Sequence, residues 1–251
     1  DVVPVVTAAK STWALAAVCA SIRLSPMYNI SSKGRFVGTE PTFPPFEFTE
    51  NDKDVGFDID LTQAVCDKLG YKMEVKNLGF DALIPALKSG QIDLIAAGMD
   101  STPERQKQVD FTDVYFKGGY TIVVKKDNTD ITGKTVGAQV GSKAADFARE
   151  HGANVKEFDT NSQGWLELEA GTCDAVSIDS AVAMYYLKQG GDAKLKLVGE
   201  PITSRGVAMA ISKDKPELRD KVNNALKELK ADGTYAKLYK KWFGVEPKNL
   251  D

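Results

Sequence analysis

Histidine and cysteine are scarce in this chain. The 251 residues contain one histidine, His151, and three cysteines, Cys19, Cys66 and Cys173. The cysteines lie far apart and form no CxxC pair, so the spacing does not support a structural zinc site. A single histidine makes a Ser–His–Asp or Cys–His catalytic centre hard to build. We expect His151 at a helix C-terminus, Cys66 as a small core residue, and Cys173 exposed in a turn.

The chain also lacks long apolar runs and an excess of positive charge. No stretch of 18 apolar residues is present, which excludes a membrane-spanning helix. The formal net charge is 32 − 35 = −3, which argues against a nucleic-acid partner held by phosphate contacts. The motifs GxGxxG, GxxxxGK[ST], HExxH and DxDxDG are all missing, so we expect no cofactor and no metal. Signals for an enzyme are weak.

The first 34 residues differ from the rest of the chain. Residues 12–22, TWALAAVCASI, form an eleven-residue apolar run that is too short to span a membrane but suits a signal-peptide core. The run fits either a residual export segment or an unrelated leader. Small residues usually precede a lipid-accepting cysteine, so Cys19 is a poor acceptor. We leave this segment out of the fold prediction.

From residue 35 onward, short strand-like runs alternate with amphipathic helix-like runs. Predicted strands are 36–39, 71–75, 93–97, 120–124, 135–139, 155–158, 175–178, 195–198 and 207–211. Predicted helices are 58–69, 81–88, 144–151, 163–170, 181–189, 216–230 and 234–242. This alternation predicts an α/β protein with mostly parallel sheets, in which ligands bind beyond the carboxyl ends of the strands.

An aromatic loop follows the first predicted strand. Residues 38–48 read GTEPTFPPFEF, and the prolines stiffen a loop that presents Phe43 and Phe46 as flat apolar surfaces. Phe46 and Phe48 fit the alternative of residues that line the core.

The segment GMDSTPER, residues 98–105, predicts a helix start at a strand end. Thr102 suits the N-cap and Pro103 the first helical position. A cation in the first turn is disfavoured by the helix dipole, so Arg105 suggests an arginine aimed at a ligand carboxylate. An internal partner such as Asp110 is the alternative.

Two further strand ends carry candidate groups. In VGAQVGSK, residues 136–143, a glycine turn leads into a helix whose free amides near Ser142 and Lys143 predict an anion site. Asp179 follows the predicted strand 175–178, at a position where α/β proteins expose functional groups, and a carboxylate opposite an arginine is what a zwitterion needs. Its alternative role is N-cap of the next helix.

At these residues the chain resembles the bacterial extracellular solute-binding proteins that feed ABC importers of polar amino acids. The similar segments, in order, are GTEPTFPPFEF, VGFDIDL, FDALIPALKSGQIDLIAAGM, TPERQKQVDFTDVYF and ADGTYAKLYKKWFG. The resemblance implies a two-lobe clamshell of the type II periplasmic-binding-protein class, with mixed sheets, helices on both faces and two hinge strands. Lobe 1 is expected at residues 35–123 and 206–251, lobe 2 at residues 124–205, after a leader at residues 1–34.

The resemblance also implies a ligand site. The ligand α-carboxylate is expected on Arg105 and the amide of Ser142 or Lys143, and the ammonium on Asp179, Asp100 and the Gly98 carbonyl. Two aromatic residues, Phe43 and Phe57, are expected to sandwich the ligand side chain. The full predicted ligand-binding set is Glu40, Phe43, Phe57, Gly98, Asp100, Arg105, Gln139, Ser142, Lys143 and Asp179.

Three positions near this site set the expected ligand. Asp100 stands where the family commonly has Thr or Ser, Glu40 lies near the side-chain end, and Lys143 replaces a small or hydroxylated residue. The acids give a locally negative site that suits a cationic or strongly polar ligand. We therefore expect an L-amino acid, arginine or lysine first and glutamine second.

The implied partners are a small-molecule amino acid and a membrane ABC-transporter permease. A monomer is expected, in the periplasm or on the extracellular face of the membrane, with lipid anchoring left open. Two other functions stay open. One is an enzyme on the same scaffold, similar to cyclohexadienyl dehydratase, with Glu40 or Asp100 as general acid. The other is a ligand-sensing domain or engineered sensor.

Overall fold

Two five-stranded sheets organise the chain. The computed structural model describes residues 34–125, 131–191, 194–204 and 206–247. The predicted leader at residues 1–34 and Cys19 lie outside these residues, except for residue 34 itself, which begins the first strand.

The predicted alternation of strands and helices is confirmed in the described residues. The strands are β1 Gly34–Thr39, β2 Thr42–Phe43, β3 Glu47–Glu50, β4 Lys53–Val55, β5 Lys72–Asn77, β6 Leu94–Ile95, β7 Asp110–Phe111, β8 Gly119–Lys125, β9 Thr135–Gln139, β10 Asn154–Phe158, β11 Ala175–Asp179, β12 Leu195–Thr203 and β13 Ala210–Ile211. The helices are α1 Phe57–Leu69, α2 Leu83–Lys88, α3 Pro103–Gln106, α4 Lys143–Glu150, α5 Asn161–Ala170, α6 Ser180–Lys188, α7 Pro216–Ala231 and α8 Thr234–Phe243. A 3-10 turn, Phe80–Ala82, precedes α2.

Both sheets are mixed. The first sheet has the order β5-β1-β6-β13-β7, and the second has the order β10-β9-β11-β8-β12. In each sheet two strand pairs are parallel and two are antiparallel, so the parallel share is lower than the alternation predicted. The two reversed strands, β13 and β8, each follow a segment that runs between the sheets.

Two chain segments cross side by side between the sheets. One links β7 to β8, and the other links β12 to β13. Val207 on the second segment forms isolated bridges to Asp100 and Phe116, and its N–H donates to the Phe116 carbonyl at 2.8 Å. These paired crossings divide the chain into the two lobes expected for a clamshell. The exact lobe boundaries stay a prediction, and the second sheet already begins with β8 at Gly119.

The aromatic loop of the sequence is a small sheet. Strands β2, β3 and β4 pair antiparallel next to β1, with Phe43 opposite Glu47 and Phe48 opposite Val55. Phe46 is fully buried, as one of its two predicted roles required, whereas Phe48 is half-buried.

The two described cysteines are both buried. Cys66 lies on the inner face of α1, as predicted. The predicted exposure of Cys173 is wrong, since its side chain packs against β9, with Sγ 3.5 Å from the site of a Cβ on Gly137. His151 follows α4 as its C-cap, as predicted, with a ring nitrogen 2.8 Å from the Phe147 carbonyl. In the part of the chain that the structure describes, every helix is too short or too polar to cross a membrane.

Candidate functional site

A cavity lies between the two sheets. Its lining comes from strand ends, loops and helix N-termini of both lobes, as expected for a protein with this strand arrangement. The lining residues are Phe43, Glu47, Phe80, Ala97, Gly98, Asp100, Arg105, Tyr120, Gln139, Ser142, Lys143, Ala144, Asn161, Ile178 and Asp179. Eight of the ten predicted site residues are among them; Glu40 and Phe57 are not.

Arg105 is held in the cavity wall by a short helix. The Thr102 hydroxyl caps α3 by accepting from the Arg105 N–H at 3.3 Å, and Pro103 is the first helical residue, both as predicted. The guanidinium donates from Nη1 to the Asp100 carbonyl at 2.9 Å and from Nη2 to the Gly141 carbonyl at 3.2 Å. The arginine therefore contacts both lobes.

No described carboxylate pairs with the Arg105 guanidinium. The alternative partner, Asp110, forms an ion pair with Arg219 at 3.0 Å instead. Arg105 is only 9% exposed, and burial lowers its pKa although Asp100 opposes that effect. A buried cation without a counter-charge is costly, so this side chain suits a ligand anion.

The α4 N-terminus faces the same region. The Ser142 hydroxyl caps α4 by accepting from the Ala145 N–H at 3.2 Å. The Ser142 N–H donates to the Gln139 carbonyl at 3.2 Å, whereas the Lys143 N–H has no acceptor among the described residues. Of the two predicted amides, that of Lys143 is therefore the one available to an anion. The Lys143 ammonium lies 2.9 Å from Asp146 and 3.9 Å from Glu104.

Asp179 ends β11 and also caps α6. Its Oδ1 accepts from the Ala181 N–H at 2.7 Å, so the predicted capping role is present. The side chain nevertheless lines the cavity, and burial raises its pKa to about 7. A Cβ on Gly118 would lie 3.0 Å from Asp179 Oδ2, so glycine there leaves room for the carboxylate.

The Asp100 carboxylate accepts hydrogen bonds from strand β8 and from the segment between β12 and β13. Its Oδ2 accepts from the Tyr120 hydroxyl, and its Oδ1 accepts from the Gly206 N–H at 3.2 Å. Burial raises the pKa of Tyr120, and the Asp100 charge raises it further. Asp100 lines the cavity, but both of its oxygens already have protein donors.

Glu47 is a cavity carboxylate that the sequence analysis missed. It is 1% exposed, and its Oε2 has no hydrogen-bond partner among the residues that the structure describes. Burial raises its pKa well above the ordinary value, and the charges of Asp58, Glu40 and Asp179 raise it further. The signal was a lone acid between two aromatic residues, Phe46 and Phe48, in the segment FEF.

Behind Glu47 lies Asp58 at the start of α1. Its Oδ2 accepts from the Gly98 N–H at 2.8 Å and from the Tyr115 hydroxyl at 2.7 Å. Burial raises the pKa of Asp58 to about 6. This carboxylate holds the glycine that lines the cavity, and it does not line the cavity itself.

The predicted sandwich between Phe43 and Phe57 is not formed. Phe57 begins α1 and is fully buried, with its ring packed against Tyr115, Tyr235 and aromatic residues of α8. The second aromatic wall of the cavity is Phe80 in the 3-10 turn before α2. The segment VGFDIDL placed an aromatic residue near the site, but helical packing turns its side chain into the core.

Glu40 lies beside the cavity rather than in its wall. Its carboxylate oxygens accept from the Thr42 hydroxyl and from Gln139 Nε2, and burial raises its pKa. Among the described residues, no group of three or more histidine, cysteine or carboxylate side chains is placed to hold a metal ion. The site offers charge and shape complementarity to a small polar molecule.

Residues 36–245 match the model of the bacterial extracellular solute-binding proteins, family 3, so the chain belongs to that family. The arginine-binding extracellular protein ArtP of Bacillus subtilis (strain 168) is 41% identical over 224 residues, covering 85% of this chain and 88% of ArtP.

Two solved structures extend the comparison. An ancestral arginine-binding protein bound to arginine is 50% identical, with a TM-score of 0.80, covering 84% of this chain and 98% of the other. The ancestral amino acid-binding protein AncCDT-1, a precursor of cyclohexadienyl dehydratase, is 39% identical, with a TM-score of 0.77, covering 84% and 95%.

Proposed function

We propose that the protein captures a basic L-amino acid, arginine or lysine, by closing its two lobes, and delivers it to an ABC importer. The observation that carries the proposal is a pair of buried ionisable groups in one cavity: the Arg105 guanidinium, which bonds only backbone carbonyls and has no paired carboxylate among the described residues, and Glu47 Oε2, which has no hydrogen-bond partner there. Buried charges without partners are costly, so each suits an opposite charge on a ligand.

The amino-acid end of the ligand uses three groups. Its carboxylate meets Arg105 and the free Lys143 N–H, and its ammonium meets Asp179. Asp179 belongs to lobe 2 and Arg105 to lobe 1, so a zwitterion that contacts both stabilises the closed state. Gly98, whose N–H is fixed by Asp58, presents its carbonyl to the same ammonium.

The side chain of the ligand packs between Phe43 and Phe80, and its cationic end meets Glu47. Flat aromatic faces favour a planar guanidinium or the methylene chain of lysine. The lining acids Glu47, Asp100 and Asp179 outnumber the cations Arg105 and Lys143 by three to two. A ligand with an extra positive charge balances that excess, which ranks arginine and lysine above glutamine.

Membership of the family supports the proposed partner and location. The protein works outside the cytoplasmic membrane as a monomer, free or lipid-anchored, and its partner is the permease of an amino-acid importer. It binds its ligand without converting it. The resemblance to ArtP and to the arginine-bound ancestral protein supports this reading.

An enzyme on the same scaffold is the second candidate. Similarity to a dehydratase precursor and the raised pKa of Glu47 favour it, since a protonated carboxyl can act as a general acid. Glu40 and Asp100, the acids first considered for that role, already accept hydrogen bonds from protein donors. Incubation with prephenate or arogenate tests this candidate directly.

Isothermal titration with L-arginine, L-lysine and L-glutamine tests the proposal. We expect the unmodified protein to bind arginine most tightly. Glu47→Gln should lower the affinity for arginine by tenfold or more and change the affinity for glutamine by less than threefold. Glu50→Gln, an exposed residue of the same small sheet, is the matched control. Tighter binding of glutamine than of arginine would contradict the proposed ligand class.

A further inference from the structure

A ring of four buried or half-buried polar side chains joins the lobes beside the cavity. Glu40 and Thr42 come from the loop and strand after β1, and Gln139 and Asn161 come from β9 and the start of α5. Glu40, Gln139 and Asn161 are 4–6% exposed. Gln139 and Asn161 line the cavity, whereas Glu40 and Thr42 lie outside its lining.

Each bond of the ring has ordinary hydrogen-bond geometry. Gln139 Nε2 donates to Glu40 Oε2 at 2.9 Å, and the Asn161 N–H donates to the Thr42 hydroxyl oxygen at 3.2 Å. Within each lobe the ring is completed by the Thr42 hydroxyl on the Glu40 oxygens, at 2.8 and 2.9 Å, and by Asn161 Nδ2 on Gln139 Oε1 at 3.2 Å. Two donors of lobe 2 therefore meet two acceptors of lobe 1.

The ring satisfies groups that otherwise lack partners in the dry cleft. The Asn161 N–H lies in the first turn of α5, where the helix itself supplies no acceptor. The Glu40 carboxylate is buried, and a buried charge needs hydrogen bonds from its surroundings. When the lobes separate, both groups lose their cross-cleft partners and return to water.

We propose that Glu40 is a closure residue, which stabilises the closed lobes through Gln139 and Asn161 and does not contact the ligand. The inference rests on the proposed function for its ligands, but the ring itself contains only protein groups. Glu40 and Glu47 then have different roles: Glu47 selects the ligand, and Glu40 stabilises the closed state around any ligand that fits.

Ligand titrations separate the two roles. The Glu40→Gln variant presents an amide in place of one acceptor toward Gln139. We expect this change to lower the affinities for L-arginine and for L-glutamine by the same factor, about 10- to 100-fold. The double variant Glu40→Gln with Gln139→Glu exchanges donor and acceptor across the cleft. It should recover at least half of the loss on a logarithmic scale for both ligands. Glu50→Gln is the control.

Small-angle X-ray scattering without ligand gives an independent readout. We expect a larger radius of gyration for Glu40→Gln than for the unmodified protein, and a return toward the original value in the double variant. If the unmodified protein binds neither amino acid, the proposed function fails while the scattering still decides the role of the ring.

Three results would overturn the inference. The first is a Glu40→Gln loss at least tenfold greater for arginine than for glutamine, which marks a ligand contact. The second is no recovery of either affinity in the double variant. The third is an unchanged radius of gyration in all three ligand-free proteins.

Discussion

Replacement of Arg105 by alanine tests the anion-binding end of the cavity. The guanidinium is 9% exposed and makes two hydrogen bonds to backbone carbonyls, which leaves its remaining donors for a ligand carboxylate. Arg105→Ala leaves that carboxylate in the cavity without its counter-charge. The cost of such a truncation is roughly 2–5 kcal/mol, or a loss of affinity of about 30-fold to several thousandfold.

The assay is isothermal titration with L-arginine and with agmatine, which is arginine without its carboxylate. Affinity for L-arginine should fall by at least 30-fold in Arg105→Ala, whereas affinity for agmatine should change little. Arg105→Lys keeps the charge but loses the planar pair of donors. Its affinity for L-arginine should therefore lie between those of the unmodified protein and Arg105→Ala. Arg149→Ala removes an arginine of α4 that forms surface ion pairs with Asp146 and Glu157 and serves as the control.

Two results would refute this reasoning. A loss smaller than threefold for L-arginine means that the carboxylate is held elsewhere. An equal loss for agmatine means that Arg105 acts through the shape of the wall, since agmatine has no carboxylate to lose. A melting curve for each variant separates these cases from a failure to fold.

Two further predictions concern pH and backbone space. Asp179 must be ionised to meet an ammonium, and its raised pKa of about 7 means that affinity for glutamine falls as pH drops from 8 to 5. Arginine should show a steeper fall in the same titration series because Glu47, whose pKa is also raised, must lose a second proton; parallel curves would exclude Glu47 as its partner. Gly56 has φ of 133°, and a Cβ there would lie 2.1 Å from the Phe46 carbonyl oxygen. Gly56→Ala should therefore destabilise by about 1–3 kcal/mol, read as a lower melting temperature, and an unchanged value would contradict the clash.

Signals in neighbouring residues predicted the starts of α3 and α4 well. Thr102 and Pro103 carry the chemistry of a helix start, and the structure places the cap and the first turn where the residues require them. Strand β9 has the predicted bounds of 135–139, because a glycine turn and a capping serine follow it directly. Such features depend on neighbours within a few residues, so one sequence is enough to identify them.

Features set by distant packing were beyond the sequence. Phe57 looks like a ligand aromatic in its motif, but the direction of its ring depends on contacts with α8, far along the chain. In the sequence, Glu47 looks like an exposed acidic residue of a strand. Only the packing of β3 next to Gly98 buries it in the wall of the cavity. The free amide of Lys143 was one of two candidates, and the hydrogen bond of Ser142 to Gln139 selects between them.

The bond from Arg105 Nη2 to the Gly141 carbonyl places one side chain on both sides of the cleft. A ligand bound to Arg105 is thus bound where the two lobes contact each other, and we expect its release to coincide with the opening of the lobes. A membrane partner that opens the lobes would therefore release every ligand bound in this way by the same movement.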